Sequence, residues 1–164
     1  MKLGLLSDSH DNLPALRAAA RTFQEAGVAH VIHAGDFVAP FSLPPLRDIG
    51  VPVTAVYGNN DGERVFLARR FAEFGWDLEP KFAFPVFGTV RVAVHHEPEP
   101  VEALAASGMY DIVVYGHTHA LEVRRQGEVW VINPGEVGGW LTGRHTIVIV
   151  DLETVTPSVV DLDF

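Results

Sequence analysis

The chain has 164 residues, enough for one domain with a substantial core, and its 48% hydrophobic and 20% charged residues are the balance of a globular protein. Its 21 acids against 12 bases give a net charge of −9, which repels a phosphate backbone and excludes broad electrostatic binding of nucleic acid. The lack of cysteine excludes disulfides, thiolate metal sites and cysteine nucleophiles; no apolar run nears the roughly 20 residues of a membrane span, and polar Ser7 cuts the apolar start too short for a signal peptide, so a cytoplasmic protein is expected.

In chain order, Lys2 to Ser7 reads as a first buried strand. Asn12 can cap a helix with Pro14 in its first turn, and the helical pattern runs from Leu13 to Gln24 until Gly27 ends it. Val28 to Ala34 is a second strand, Pro40 to Ile49 a loop with a short helix, and Pro52 to Tyr57 a third strand. Glu63 to Phe74 is helical up to Gly75. Phe82 to Phe87 and Val90 to His95 flank Gly88 as a hairpin. A short helix at Val101 to Ala106 follows. Strands are then expected at Ile112 to Tyr115, Leu121 to Arg125, Val129 to Ile132, Thr146 to Val150 and Val155 to Asp161. With no linker or repeat, this is one domain over residues 1–164, a mixed α/β protein of two sheets with helices on the outer faces.

The polar residues fall where the apolar runs end. The strands lead into Asp8-Ser9-His10, Gly35-Asp36, Gly58-Asn59-Asn60-Asp61, His95-His96 and Gly116-His117-Thr118-His119. In parallel sheets the carboxyl ends of strands gather on one edge, the usual ligand crevice of open α/β folds. Carboxylate and imidazole suit zinc, manganese, iron or nickel. Asp8 and His10 lie two apart, so in an extended segment they would face the same way and share an ion. A kinked turn at Gly116 would send His117 and His119 to different ions. Taken singly each cluster has a plainer explanation as a turn or cap; five in order point to a metal site.

These ordered motifs resemble those of the calcineurin-like metallophosphoesterases, and the chain length with Asn133-Pro134-Gly135 resembles the small YfcE-type branch. The resemblance implies a four-layer α-β-β-α sandwich of two mixed sheets with metals at one edge. It implies two divalent ions (Mn, Ni, Fe or Zn). Asp8, His10, Asp36 and His119 would hold one. Asp36, Asn59, His95 and His117 would hold the other, with Asp36 bridging. It further implies a phosphoesterase in which a metal-bound hydroxide attacks phosphorus in line with the leaving oxygen.

The pattern departs from the family in places. Many members carry His where Asn60 stands, and Asn cannot deliver a proton. His96, where the family usually has Gly, is therefore either the general acid or a solvent-facing histidine. Asp61 is expected to orient its neighbours. Glu136 stands where a serine often follows, either facing solvent or repelling substrates with extra phosphates; Glu97 is a further departure. His33 is expected to be structural, and Phe37, Phe41 and Trp140 are candidates for the substrate mouth. No lysine or arginine sits in any motif, which favours a phosphodiester over a phosphomonoester as the small substrate. The alternatives are a non-catalytic protein-binding scaffold resembling the retromer subunit, and a metal-binding protein without catalysis. A homo-oligomer fits the apolar composition.

Overall fold

The computed structural model describes residues 1–164. Strand β1 (Lys2–Leu6) is followed by helix α1 (Leu13–Ala26), strand β2 (Val28–His33), a 3-10 turn at Pro40–Ser42, helix α2 (Pro44–Arg47), strand β3 (Val53–Val56), helix α3 (Arg64–Phe74) and strand β4 (Asp77–Glu79). The second half contributes β5 (Phe82–Ala83), β6 (Val86–Phe87), β7 (Val90–His95), α4 (Val101–Ala106), β8 (Ile112–Val114), β9 (Glu122–Gln126), β10 (Val129–Asn133), β11 (Thr146–Asp151) and β12 (Thr156–Asp161). The expected elements are all present within a few residues. Strand β4 is an addition to them: three residues with one apolar side chain, Leu78, are too short to mark a strand in the sequence, and it forms because Leu78 packs on the core and the segment pairs in parallel with β3 at the sheet edge.

Local chemistry sets the ends of the long helices. Asn12 Oδ1 accepts from Ala15 N at 3.2 Å, capping α1, and its Nδ2 donates to Gly138 O at 2.9 Å. Both α1 and α3 close on a left-handed glycine, Gly27 (φ 70°) and Gly75 (φ 69°).

One sheet runs β12-β11-β1-β2-β3-β4, with β1 to β4 parallel and β11 and β12 antiparallel. The other runs β5-β7-β8-β10-β9, with β7, β8 and β10 parallel, and β6 pairs β7. Leu3, Leu5, Ile32, Val56, Val92, Val94, Ile112 and Val148 fill the space between the sheets. Leu16, Phe23, Leu46, Leu67 and Phe71 pack the first three helices on the outer face of the first sheet. Val101 and Ala105 of α4 cover Ala93, Val113 and Val131 on the outer face of the second. The result is the α-β-β-α sandwich, held by apolar burial on three interfaces. No helix is long and apolar enough to cross a membrane. The parallel strands β1, β2, β3, β7 and β8 all release their chain at one edge of this sandwich.

Candidate metal centre

The loops leaving that edge are zipped together by their backbones. Asp8 N donates to Gly35 O at 3.0 Å, His10 N to Asp36 O at 3.1 Å, and Gly116 N to His96 O at 2.9 Å. His117 N donates to the Asp8 carboxylate at 3.1 and 3.2 Å. Asp8 (φ 52°), His10 (φ 41°), Asp36 (φ 61°), His117 (φ 66°) and His119 (φ 59°) all adopt left-handed backbone that non-glycine residues avoid. Such strain persists only where surrounding contacts over-determine it, and it clusters at functional sites. It also revises the reason for the Asp8–His10 pairing: they converge through the loop, not through extended alternation. Glycine is obligatory at two points for space. A Cβ on Gly58 would overlap the Asp36 carboxylate, and one on Gly116 would overlap Ser7 Oγ and lie 2.7 Å from Asp8 Oδ2.

One atom each from Asp8, His10, Asp36 and His119 lies within 4.8 Å of the others. His10 Nε2 is 3.5 Å from Asp36 Oδ2, and His119 Nε2 is 3.6 Å from Asp8 Oδ1. The His10 and His119 rings stack at 5.0 Å. Beside this group, Asn59 Oδ1 lies 2.8 Å from His117 Nδ1 and 3.0 Å from His96 Nε2. His96 Nε2 is also 3.5 Å from Asp36 Oδ2. Asp36 is thus the carboxylate shared by both groups.

The histidine pair at the end of β7 departs from the expected arrangement. The family pattern puts His95 among the ligands, but its ring packs on Phe82 at 4.2 Å and its Nδ1 bonds Glu97 O at 2.8 Å. With Lys81, Phe82, Glu97, Glu99 and Pro100 it lines a separate cavity of about 540 Å³. The strand's pleat explains this. Val90, Val92 and Val94 face the space between the sheets, so the same parity carries His96, not His95, to the inner edge. His96 is wholly buried, which removes the solvent-facing reading. Its Nδ1 is bonded to Ala34 O at 2.7 Å, which fixes the ring in the Asp36 cluster.

The other departures also find places. Asp61 is buried and bridges two loops: Oδ2 accepts from Gly58 N at 2.7 Å and Asp36 N at 3.2 Å, and Oδ1 from Val38 N at 2.8 Å. Asn60 donates through its backbone N and its Nδ2 to the two Asp36 oxygens at 2.8 and 2.7 Å. Both residues position Asp36. Glu136 is wholly buried, not solvent-facing. It accepts from His119 Nδ1 at 2.8 Å. His33 is the structural residue expected: buried, stacked on Phe37 at 3.6 Å, with Nε2 3.1 Å from Ser9 Oγ and Nδ1 accepting from Gly35 N. Phe37 is therefore core and not mouth. Phe41 and Trp140 are exposed, and Trp140 Nε1 donates to His10 O at 3.3 Å, at the rim of the cluster.

The charges are strongly coupled. Burial pushes the Asp36 carboxyl up, but hydrogen bonds from His96 and Asn60 outweigh it and hold the group well below the usual carboxylate range. Burial opposes protonation of His96, yet the Asp36 carboxylate reverses this and raises it. Asp8 is raised, chiefly by burial. Burial would raise Glu136, but His119 and Thr142 bonds bring it below its ordinary value.

The residues fit divalent cations. With Nδ1–H committed to Ala34 O, His96 aims Nε2 at the acceptors Asn59 Oδ1 and Asp36 Oδ2; a proton there bonds Asp36 in the metal-free protein, and the neutral ring instead offers a lone pair to a cation. With Nδ1–H committed to Glu136, His119 does the same towards Asp8 Oδ1. The buried His10 Nε2 has no hydrogen-bond partner. Converging lone pairs on buried oxygen and nitrogen atoms repel unless cations lie among them, and this donor set suits borderline divalent ions.

Residues 1–155 match the family model described as the calcineurin-like phosphoesterase superfamily domain. Phosphodiesterase MJ0936 of Methanocaldococcus jannaschii is 40% identical over 160 residues, covering 93% of this chain and 94% of the relative. Phosphodiesterase YfcE of Escherichia coli K12 is 30% identical over 154 residues, covering 84% and 79%. Among solved structures, an archaeal phosphodiesterase superposes with a TM-score of 0.93 at 37% identity over 99% of this chain and 100% of its own. Vps29 of Chaetomium thermophilum shares the fold at a TM-score of 0.70 and 16% identity, over 98% and 94%.

Proposed function

The chain belongs to the calcineurin-like phosphoesterase superfamily, and from that premise we propose that it is a phosphodiesterase working with two divalent ions held around Asp36. Asp8 Oδ1, His10 Nε2, Asp36 and His119 Nε2 would hold one ion. Asp36, Asn59 Oδ1, His96 Nε2 and His117 Nδ1 would hold the other. This set replaces His95 by His96. When bound, the ions supply positive charge for the phosphoryl oxygens and acidify water enough to provide a nucleophile near neutral pH.

The observation that carries this reading is the convergence of acceptor atoms from five loops onto one buried carboxylate. The protein's own contribution is placement. Asn60 fixes both Asp36 oxygens, Asp61 holds the Asp36 backbone N, Ala34 O fixes His96, and the left-handed loops aim Asp8, His117 and His119. A pre-aimed donor set lowers the reorganisation needed at the moment of reaction. Neither Asn60 nor His96 is free to protonate a leaving group, which suits esters whose leaving group departs unaided. A diester also brings less negative charge than a monoester to a site with no cationic side chain in its motifs. The relatives of at least 30% identity carry phosphodiesterase names, in keeping with this choice. The scaffold reading is weaker, because nothing in the donor set has been lost. The whole chain, residues 1–164, acts as one catalytic domain in this reading.

The test is turnover of bis-p-nitrophenyl phosphate and p-nitrophenyl phosphate by chelated protein, before and after adding manganese, nickel, iron or zinc. The proposal expects restored activity with at least one metal and faster turnover of the diester. Absence of turnover with every metal, or activity indifferent to chelation, would refute it.

A further inference from the structure

Glu136 has no role in the ligand set, yet it is wholly buried. Its Oε2 accepts from His119 Nδ1 at 2.8 Å and from Trp140 N at 3.0 Å. Its Oε1 accepts from Leu141 N at 3.0 Å and from Thr142 Oγ1 at 2.8 Å, and also from Thr142 N. Every lone pair direction is used, and all the partners are donors. One carboxylate therefore grips a histidine of the metal cluster on one side and the 140–142 turn on the other. That turn carries Trp140, whose indole reaches His10 O, and Leu141; both side chains are exposed at the rim.

We propose that Glu136 is a positioning residue: it fixes His119 as the Nδ1–H tautomer, leaving the Nε2 lone pair to bind a cation, and ties that ring to the Trp140 turn at the mouth. The proposal rests on the metal reading of His119 given above. A carboxylate can only accept, so the shared proton must stand on His119 Nδ1 whenever the ring is neutral. The alternative tautomer would put a proton on Nε2, 3.6 Å from Asp8 Oδ1, and close that position to a metal. The opposite partner of a ligating histidine sets its orientation and basicity, and loss of such a partner typically costs about 10–100-fold in metal affinity.

The decisive variant is Glu136→Gln, which keeps size and one acceptor oxygen. With that oxygen kept on Leu141 N, Thr142 N and Thr142 Oγ1, the amide presents N–H to His119 Nδ1 and leaves Trp140 N without its acceptor. The ring must shift its proton to Nε2. Nitrogen-15 NMR of metal-free protein reads the tautomer directly, and calorimetric titration with manganese alone reads affinity. We expect Nδ1–H in the parent, Nε2–H in the variant, and manganese binding weakened about tenfold or more in the variant. Thr142→Val removes only the hydroxyl on the turn side; it should retain the Nδ1–H tautomer and bind manganese within about twofold of the parent. An unchanged tautomer in Glu136→Gln would overturn the proposal. So would an equal loss of affinity in Thr142→Val, since turn packing would then account for the effect. Because the tautomer is read without metal, a parent that bound no manganese would count against the metal reading alone.

Discussion

His96 Nε2 lies 3.5 Å from Asp36 Oδ2, while the ring of the preceding residue, His95, turns the opposite way against Phe82. Two adjacent histidines at the end of β7 thus have different surroundings, and mutation separates the roles proposed for them. His96→Ala should lower phosphodiester turnover on the order of 100-fold or more, since losing a donor gives up part of the several kcal/mol that a well-held cation supplies. His95→Ala should leave manganese affinity within about threefold of the parent. Steady-state kinetics and calorimetric titration on both variants check this; a larger loss in His95→Ala would return His95 to the ligand set.

Gly58 sits so close to Asp36 that no side chain fits. Gly58→Ala should destabilise the metal-free protein by about 1–3 kcal/mol, the usual range for forcing extra volume into a packed site. Gly62, in the same loop region, has open space where a Cβ would stand, with nothing within 4 Å. Gly62→Ala should therefore stay within about 0.5 kcal/mol of the parent. Guanidinium denaturation of both proteins makes the comparison.

His33 makes stability depend on pH. Burial, followed by the nearby His96, drives its pKa well below the ordinary histidine value of 6.5. The folded protein therefore keeps His33 neutral in a range where the unfolded chain binds a proton. Its contribution is fully present above about pH 6.5 and is lost as pH falls below that value towards the folded pKa, with a slope of at most about 1.4 kcal/mol per pH unit. The difference between pH 7.5 and 5.5, measured by denaturant unfolding, should be smaller in His33→Gln than in the parent. An equal or steeper decline in the variant would contradict this.

Metal removal should weaken the fold as well as the activity. Asp8 and Asp36 are both buried in one acceptor-rich cluster, so a cation that binds only the folded state stabilises it. At about 100 times the dissociation constant the gain is about 2.7 kcal/mol, which for a chain of this size raises Tm by roughly 5–10 °C. Thermal scans with chelator and with manganese measure the shift.

Much of this is legible in the sequence because two periodic signals coincide with the site. Apolar runs mark the strands, and the polar residues at their ends mark the edge where β1, β2, β3, β7 and β8 open. The clusters that hold Asp8, His10, Asp36, Asn59, His117 and His119 follow from that pattern, while the choice of Asn59 over its neighbour Asn60 comes from the family resemblance. The exchange of His95 for His96 has a readable signal too: Val90, Val92, Val94 and His96 share one parity, and only the inward face of β7 reaches the cluster. Glu136 is harder to place. Its partners, His119 and residues 140–142, come from separate loops, and no local pattern announces a carboxylate satisfied by tertiary contacts. The left-handed conformations of Asp8, His10, Asp36, His117 and His119 are equally hidden, because propensity disfavours them and only the assembled edge imposes them.

The most direct test of the account is anomalous diffraction from crystals of manganese-loaded protein. Two peaks on either side of Asp36 are predicted, one beside Asp8, His10 and His119, the other beside Asn59, His96 and His117. A single peak, or one seated on His95 in place of His96, would contradict it.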